Sequence, residues 1–373
     1  MPRPLEVIVI GAGVVGCAAA YELSRRGASV TLIDEREIGG GATQASAGML
    51  APYIESHEGD PLFGLTVRGL AAYDEFVDRL RGESGAAVAY RRIGTLDAAV
   101  DEAGLRELAA RASALSGQGV DAELIDAAAA HRREPYLSAD VVGALVIPAH
   151  GFVSASALTV AAAGAARRHG ATIDERRRAG SIASGDGDGR VRVATDRGPL
   201  EGDAVVLAAG TWSGSIPIDG LPRPVPVRPV RGQLLQLAWN GAPLRHVVWS
   251  PRCYLVPWDD GTLLVGATVE QAGFEERTTV AGVRDLLEAA CEIVPHAWTA
   301  GFSGARVGLR PGTEDDLPII GRSTVLPRLV YATGHYRNGV LLAPITAQLV
   351  ADVVLEDRVD PVLAPFSPAR FGI

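Results

Sequence analysis

The chain has 373 residues, 47% of them hydrophobic and 21% charged, which excludes a disordered or fibrous composition and leaves room for two well-filled cores. A formal net charge of -9 gives no electrostatic basis for nucleic-acid binding or stable membrane association. Three widely separated cysteines, Cys17, Cys253 and Cys291, support neither a disulfide framework nor a cysteine-rich metal site, and no metal is expected.

The apolar opening lacks the basic flank of a secretory leader, and later apolar stretches are divided by Gly, Pro or charge, so a cytoplasmic protein, mature from its start, is expected. Val7, Ile8, Val9 and Ile10 form a β-branched run of the kind buried on both faces of a parallel sheet. Gly11, Gly13 and Gly16 follow as GxGxxG: the first allows a tight turn, the second lets backbone approach a pyrophosphate, and the third lets a helix pack on the strand. A helix then runs to Gly27, and a second strand over 28–33 ends at Asp34, placed to accept from a ribose 2′-hydroxyl. That carboxylate would repel a 2′-phosphate, which disfavours NADP and leaves NAD or the ADP half of FAD.

Residues 35–55 are rich in Gly, Ala, Ser and Thr, small enough for close approach to something flat or charged. An amphipathic helix is expected over 68–80, an extended segment over 88–98, a helix over 102–115, and an Ala-rich helix within 119–136 that ends near Pro135. Strand character returns over 141–154, then a helix over 155–169, a strand within 171–182 and a loop over 183–189. Segments 191–194 and 203–208 resemble a hairpin feeding a buried strand, which runs into Ala209 and Gly210 at a carboxyl-end crevice. Trp212 either covers ligand surface there or anchors the core.

Residues 221–229, LPRPVPVRP, read as a stiff connector. Strands over 232–237, 245–249, 253–257 and 263–268, with a turn at Asp259, Asp260 and Gly261, predict an antiparallel sheet, followed by a helix over 280–293. A last buried strand, 331–333, enters Gly334–Gly339, and a helix follows over 342–355. The fold class is α/β: a Rossmann-like dinucleotide domain (1–85, 142–218 and 305–373) interwoven with a substrate domain (86–141 and 219–304) on the antiparallel sheet.

The motifs GAGVVG, GGGATQASAGMLAP, AAGTWSG, CYLVP, GLRPGTEDDLPIIG and TGHYRNGVLLAP resemble those of the glycine oxidases, within the D-amino-acid oxidase family of flavoproteins, over nearly the whole chain. The resemblance implies non-covalent FAD and oxidation of glycine to glyoxylate with production of hydrogen peroxide. It also implies molecular oxygen as acceptor, a homo-oligomer such as a tetramer, and a supply of glycine imine to the thiazole branch of thiamine synthesis. Carried over by position, Val14, Val15, Asp34 and Glu35 would hold the ADP portion, and Thr43, Gln44, Ala47, Gly48 and Met49 the diphosphate and flavin. Ala179 would face adenine through its backbone, and Asn338, Gly339, Val340, Leu341 and Leu342 would approach the flavin ring. Arg310 and Tyr254 would hold the substrate carboxylate, with Arg337 supporting the same anionic region. A family histidine just before the CYLVP tyrosine is replaced by Arg252, which leaves fine substrate selection open.

Residue chemistry agrees with the class. A guanidinium can make two charge-assisted hydrogen bonds to a carboxylate, which a lysine cannot match in geometry, and a phenol adds a third. No His and carboxylate arrangement demands a protein base, so water can take the amine proton. Sarcosine oxidases, small D-amino-acid oxidases or dehydrogenases, and a redox-silent flavin-binding assembly subunit remain alternatives. The sarcosine oxidase pattern includes a flavin-linking cysteine, and residues 301–331 contain none.

Overall fold

The computed structural model describes residues 3–55, 59–185 and 189–373. Its first layer is a six-stranded sheet in the order Ile319–Arg322, Leu329–Thr333, Ala204–Leu207, Glu6–Ile10, Ser29–Asp34, Thr172–Glu175. All neighbours are parallel except the first pair. The opening strand is central, with Val9 opposite both Leu32 and Val206. Side chains alternate across a strand, so Val7 and Val9 face one layer while Ile8 and Ile10 face the other.

On the Val7 and Val9 side pack helices Val14–Arg25, Ala155–Arg168 and Gly339–Leu355. Their contact surfaces are mostly alanine, including Ala18, Ala19, Ala162, Ala166 and Ala347, and these small side chains bring the helices close together. The Ile8 and Ile10 side is covered by a three-stranded meander, Ala179–Ser184, Val191–Thr195 and Leu200–Gly202, through Ile182 and Val193. Burying one Ile or Val here is worth roughly 1.5–3 kcal/mol, so both layers stabilise the same strand.

The second sheet has eight strands in the order Gly301–Gly312, Arg228–Ala238, Thr262–Gly266, Tyr254–Pro257, Val247–Trp249, Thr95–Ala99, Gly143–Ile147, Glu123–Asp126. Its neighbours are antiparallel apart from Val247–Trp249 beside Thr95–Ala99. Helix Val280–Ile293 covers one face through Leu286, Ala290 and Ile293. Leu234, Val256 and Leu264 on the other face meet Ala47 and Phe152. The predicted α/β architecture with a parallel and an antiparallel sheet is the one observed.

Several local expectations are corrected. The helix expected over 68–80 is two, Phe63–Ala71 and Tyr73–Ser84. The break lets the first pack on helix Gly339–Leu355 and the second on Ala155–Arg168, a tertiary demand invisible in periodicity. Within 119–136 a strand, Glu123–Asp126, precedes the helix Ala127–Arg133. Pairing with Gly143–Ile147 overrides the Ala-rich propensity, and Asp126 caps the helix by accepting from the Ala129 amide at 2.7 Å. Segment 191–194 joins the meander and does not pair with 204–207, which enters the parallel sheet instead. The expected loop over 183–189 begins after Ser184, and residues 186–188 lie outside the described ones.

Two buried histidines tie the layers to pH. His150 stacks on Tyr53 at 5.4 Å, its Nδ1 lies 2.8 Å from the Thr95 hydroxyl, and its Nε2 accepts from the Tyr53 amide. Burial, aided by Arg92, pushes it down from 6.5 to about 3. His335, with Nε2 3.1 Å from the Thr346 hydroxyl, is pushed by burial to about 4. The unfolded chain binds these protons first, so stability present above about pH 6.5 is lost on acidification, by roughly 1.4 kcal/mol per pH unit for each histidine. With FAD in excess, the thermal midpoint of His150→Gln is expected to fall less between about pH 7.5 and 5 than that of the parent, because one of the two proton sinks is gone.

Candidate functional site

The carboxyl ends of the central strands form the first wall of the site. Gly11 adopts φ +112°, and a Cβ there would lie 2.3 Å from the Ala208 carbonyl oxygen, so only glycine lets these two strand ends meet. A Cβ on Gly16 would lie 1.8 Å from the Gly11 oxygen, which makes Gly16 the helix-packing glycine. Gly13 instead meets only the Thr43 hydroxyl, at 3.4 Å, and borders open space. It starts helix Val14–Arg25 with no side-chain cap, while the Val14 amide donates to Thr43 Oγ1 at 3.1 Å. The positive end of the helix dipole therefore faces the cavity.

Asp34 closes its strand with both carboxylate oxygens fixed: Oδ2 accepts from the Ala12 amide at 2.6 Å and Oδ1 from the Arg36 amide at 2.7 Å. Burial raises its affinity for a proton, and these two amides oppose that shift.

A cavity of about 820 Å³ runs from Asp34, Glu35 and the Arg177–Gly180 backbone, past the helix N-terminus, to the second sheet. Such a volume suits a large cofactor with room for a small substrate. The Thr211 hydroxyl is buried in this wall with no hydrogen-bond partner among the described residues, which fits a polar ligand laid across it. An acceptor for a ribose, a helix N-terminus for a pyrophosphate and an unsatisfied hydroxyl in the same wall match a dinucleotide.

At the far end, Tyr254 and Arg310 lie on glycine. Arg310 projects from strand Gly301–Gly312 across Gly232 of the neighbouring strand, where a Cβ would come within 2.3 Å of its Nη1. Tyr254 lies across Gly266, where a Cβ would come within 2.4 Å of its hydroxyl. Arg310 Nη1 also donates to the Thr268 carbonyl at 2.9 Å and the Arg231 carbonyl at 3.4 Å, which sets the plane of the guanidinium. Both carbonyl-bearing residues are held by Glu270, which accepts from Arg231 Nη2 and the Thr268 hydroxyl at 2.5 Å each and from Gln233 at 2.7 Å. Burial would raise the Glu270 carboxyl, but these hydrogen bonds hold it below its ordinary range. Trp249 packs on Tyr254 with ring centres 5.2 Å apart.

Of the residues singled out in the sequence, Gly11, Gly13, Val14, Val15, Asp34, Glu35, Thr43, Ala47, Gly48, Met49, Ala179, Ala209, Gly210, Trp212, Tyr254, Arg310, Arg337, Gly339 and Val340 line this one cavity. Gly16, Gln44, Asn338, Leu341 and Leu342 do not. Gln44 reaches the Val307 carbonyl at 3.0 Å and ties the small-residue loop to the second sheet. Asn338 is the N-cap of helix Gly339–Leu355, and Leu341 and Leu342 enter its core. Arg252 borders the cavity but pairs with Glu292 of helix Val280–Ile293. Sequence reasoning missed the beds Gly232 and Gly266 and the wall residues Arg36, Thr211 and Trp249. A glycine inside a strand pattern is the signal that could have found the beds.

The family model described as FAD dependent oxidoreductase matches residues 6–353. The chain belongs to the FAD-dependent oxidoreductases. Within that family it is 34% identical to a glycine oxidase of Geobacillus kaustophilus, over 99% of this chain and 98% of the relative. It is also 34% identical to the bifunctional protein ThiO/ThiG of Synechocystis, covering all of this chain but 55% of that protein. The chain thus spans about half the length of several curated relatives it matches. Among solved structures, the Geobacillus kaustophilus glycine oxidase superposes with a TM-score of 0.93 at 33% identity, with 99% of each chain covered. An iminodiacetate oxidase from Chelativorans superposes at 0.87 with 31% identity, covering 97% of this chain and 98% of that one.

FAD is the cofactor of this family, and the cavity has the donors and acceptors to hold it. Asp34→Ala removes the acceptor expected for the ribose and strands two backbone amides, and the FAD dissociation constant is expected to rise about ten- to hundredfold. Titration of apoprotein by flavin fluorescence measures it; an unchanged constant would place the ribose elsewhere.

Proposed function

We propose that the chain oxidises a small amino acid, glycine first, to its imine, which water converts to glyoxylate and ammonia. The observation that carries this reading is the pairing of Arg310 and Tyr254 on their glycine beds at one end of the dinucleotide cavity. When bound, FAD supplies the two-electron acceptor and hands the electrons to oxygen as hydrogen peroxide.

The side chains do the rest. Arg310 offers a rigid fork to the substrate carboxylate, and the Tyr254 hydroxyl adds a third donor. The Trp249 and Tyr254 rings shield that end from water, which strengthens each charge-assisted bond. A carboxylate anchored this way would fix the α-carbon relative to the cavity wall, so orientation is supplied before the reaction begins. The substrate amine must lose its proton to react. His335 borders the cavity but is turned to Thr346 through Nε2, so the proton passes to water. Cys253 also borders the cavity, yet burial pushes its thiol up to about 11, which suits FAD held without a covalent bond. The similarity to ThiO/ThiG proteins supports a role for the imine in the thiazole branch of thiamine synthesis. Sarcosine and small D-amino acids are the competing substrates.

Acid precipitation of purified protein is expected to leave FAD in the soluble fraction, and a panel of amino acids read by oxygen uptake, peroxide and oxoacid should rank glycine first. Strong quinone reduction without oxygen uptake would favour a dehydrogenase. Arg310→Met removes all five donors from the carboxylate, a loss of about 2–5 kcal/mol, or roughly 30- to several-thousand-fold in flavin reduction at low glycine, with FAD content preserved. Gly232→Ala should mimic part of this by lifting the guanidinium off its bed, with about a tenfold rise in the dissociation constant for glycolate. Parent-like glycolate binding in both variants would remove the carboxylate clamp.

A further inference from the structure

The Arg36 side chain, unlike its amide, which fixes Asp34, has no part in the roles above. It lies two residues beyond Asp34, on the nucleotide side, and its guanidinium makes a two-pronged pair with Glu276: Nη1 to Oε1 at 3.0 Å and Nη2 to Oε2 at 2.9 Å. Glu276 belongs to the segment 267–279, which leaves strand Thr262–Gly266 of the other sheet and crosses to the nucleotide side before helix Val280–Ile293 begins. The same guanidinium lies 4.2 Å above the centre of the Trp212 ring, and its Nη1 also donates to the Gly40 carbonyl at 3.2 Å. Phe274, from the crossing segment, meets the Trp212 ring with centres 6.2 Å apart. Gly41 completes the cluster, since a Cβ there would touch that ring at 3.3 Å.

Three stretches far apart in sequence therefore lock together through one stacked, bidentate guanidinium. Arg36, Gly41, Trp212 and Val269 all border the cavity, so the lock forms part of its wall. Both charged side chains are about one-third exposed, at 34% and 32%, which leaves the pair open to screening by salt. The crossing segment is anchored at both ends to strand Arg228–Ala238: Glu270 pairs with Arg231 and accepts from Gln233, and the Thr279 amide donates to Gln233 Oε1 at 2.8 Å. Between those anchors, the stretch 271–278 meets the nucleotide side through the Arg36 cluster.

We infer that Arg36, Glu276 and Trp212 are a clasp that retains FAD: the crossing segment must come off Arg36 for the cofactor to leave along this wall. The inference rests on FAD filling the cavity and is independent of the substrate, so its test involves no turnover.

Holoprotein diluted to nanomolar concentration would release FAD, and the rise in flavin fluorescence gives the release rate. Glu276→Gln keeps the shape and loses the charge, and it is expected to speed release about three- to tenfold. Glu276→Asp, with the charge on a shorter arm, should fall between the parent and Glu276→Gln. Raising KCl to about 1 M should speed the parent toward the variant's rate and leave Glu276→Gln nearly unchanged. Asp34→Ala serves as a control that the assay registers faster release. Equal rates for the parent and Glu276→Gln, with Asp34→Ala accelerated, would overturn the clasp. So would equal acceleration of parent and Glu276→Gln by salt, which would mean general loosening.

Discussion

Everything in this molecule hangs on the contact between the ends of two parallel strands, where Gly11 passes the Ala208 carbonyl with no room for a side chain. That approach brings the amides of helix Val14–Arg25, the Asp34 carboxylate and the Ala209–Gly210 turn to the rim of one crevice. Each polar group there has a cause in the packing below it. Asp34 is held by two amides because its strand ends level with Ala12, and because Gly13 has no side chain to cap the helix start, the Val14 amide donates to Thr43 Oγ1 instead. The alternation of Val7 and Val9 against Ile8 and Ile10 keeps that edge in register by burying both faces of the strand.

The second sheet works by an analogous device in a different setting. Antiparallel strands place Gly232 beneath Arg310 and Gly266 beneath Tyr254, so two long polar side chains lie flat on backbone instead of rising into solvent. Flat side chains lose fewer rotamers when a ligand arrives, and the Glu270 network fixes the carbonyls that grip the guanidinium. The cost is a sheet weakened by glycine at its centre. Leu234, Leu235, Val256 and Val265, buried on its two faces, offset that cost.

What could be read from the sequence is what is local. The opening strand, its glycines, the helix and Asp34 declare themselves because each step follows the last within about 30 residues and obeys a fixed spacing. Helices Ala155–Arg168 and Val280–Ile293 were legible through their periodicity. Strand Gly301–Gly312 was not, because glycines at 301, 304, 308 and 312 dilute its β signal and its partner, Arg228–Ala238, is remote in sequence. The break at Ala72 and the strand Glu123–Asp126 were hidden for the same reason: tertiary partners decided them. At the site, the side chains of Tyr254 and Arg310 were nameable from motifs, while the glycines that position them belong to other strands, where a glycine in a strand pattern marks a close approach without saying what approaches.

The order of strands in the parallel sheet has a consequence for biogenesis. Glu6–Ile10 leaves the ribosome early, yet its neighbour Ala204–Leu207 comes far later, and the next strand, Leu329–Thr333, later still. During synthesis the glycine-rich opening must wait with one flank unpaired, and the wall that carries Arg310 emerges later than both strands that flank that opening. A nascent chain of this topology has no complete pocket until the strand that carries Arg310 and the turn over 334–340 have emerged. In the meantime the half-built sheet exposes an apolar edge, which pairing with Ala204–Leu207 later covers.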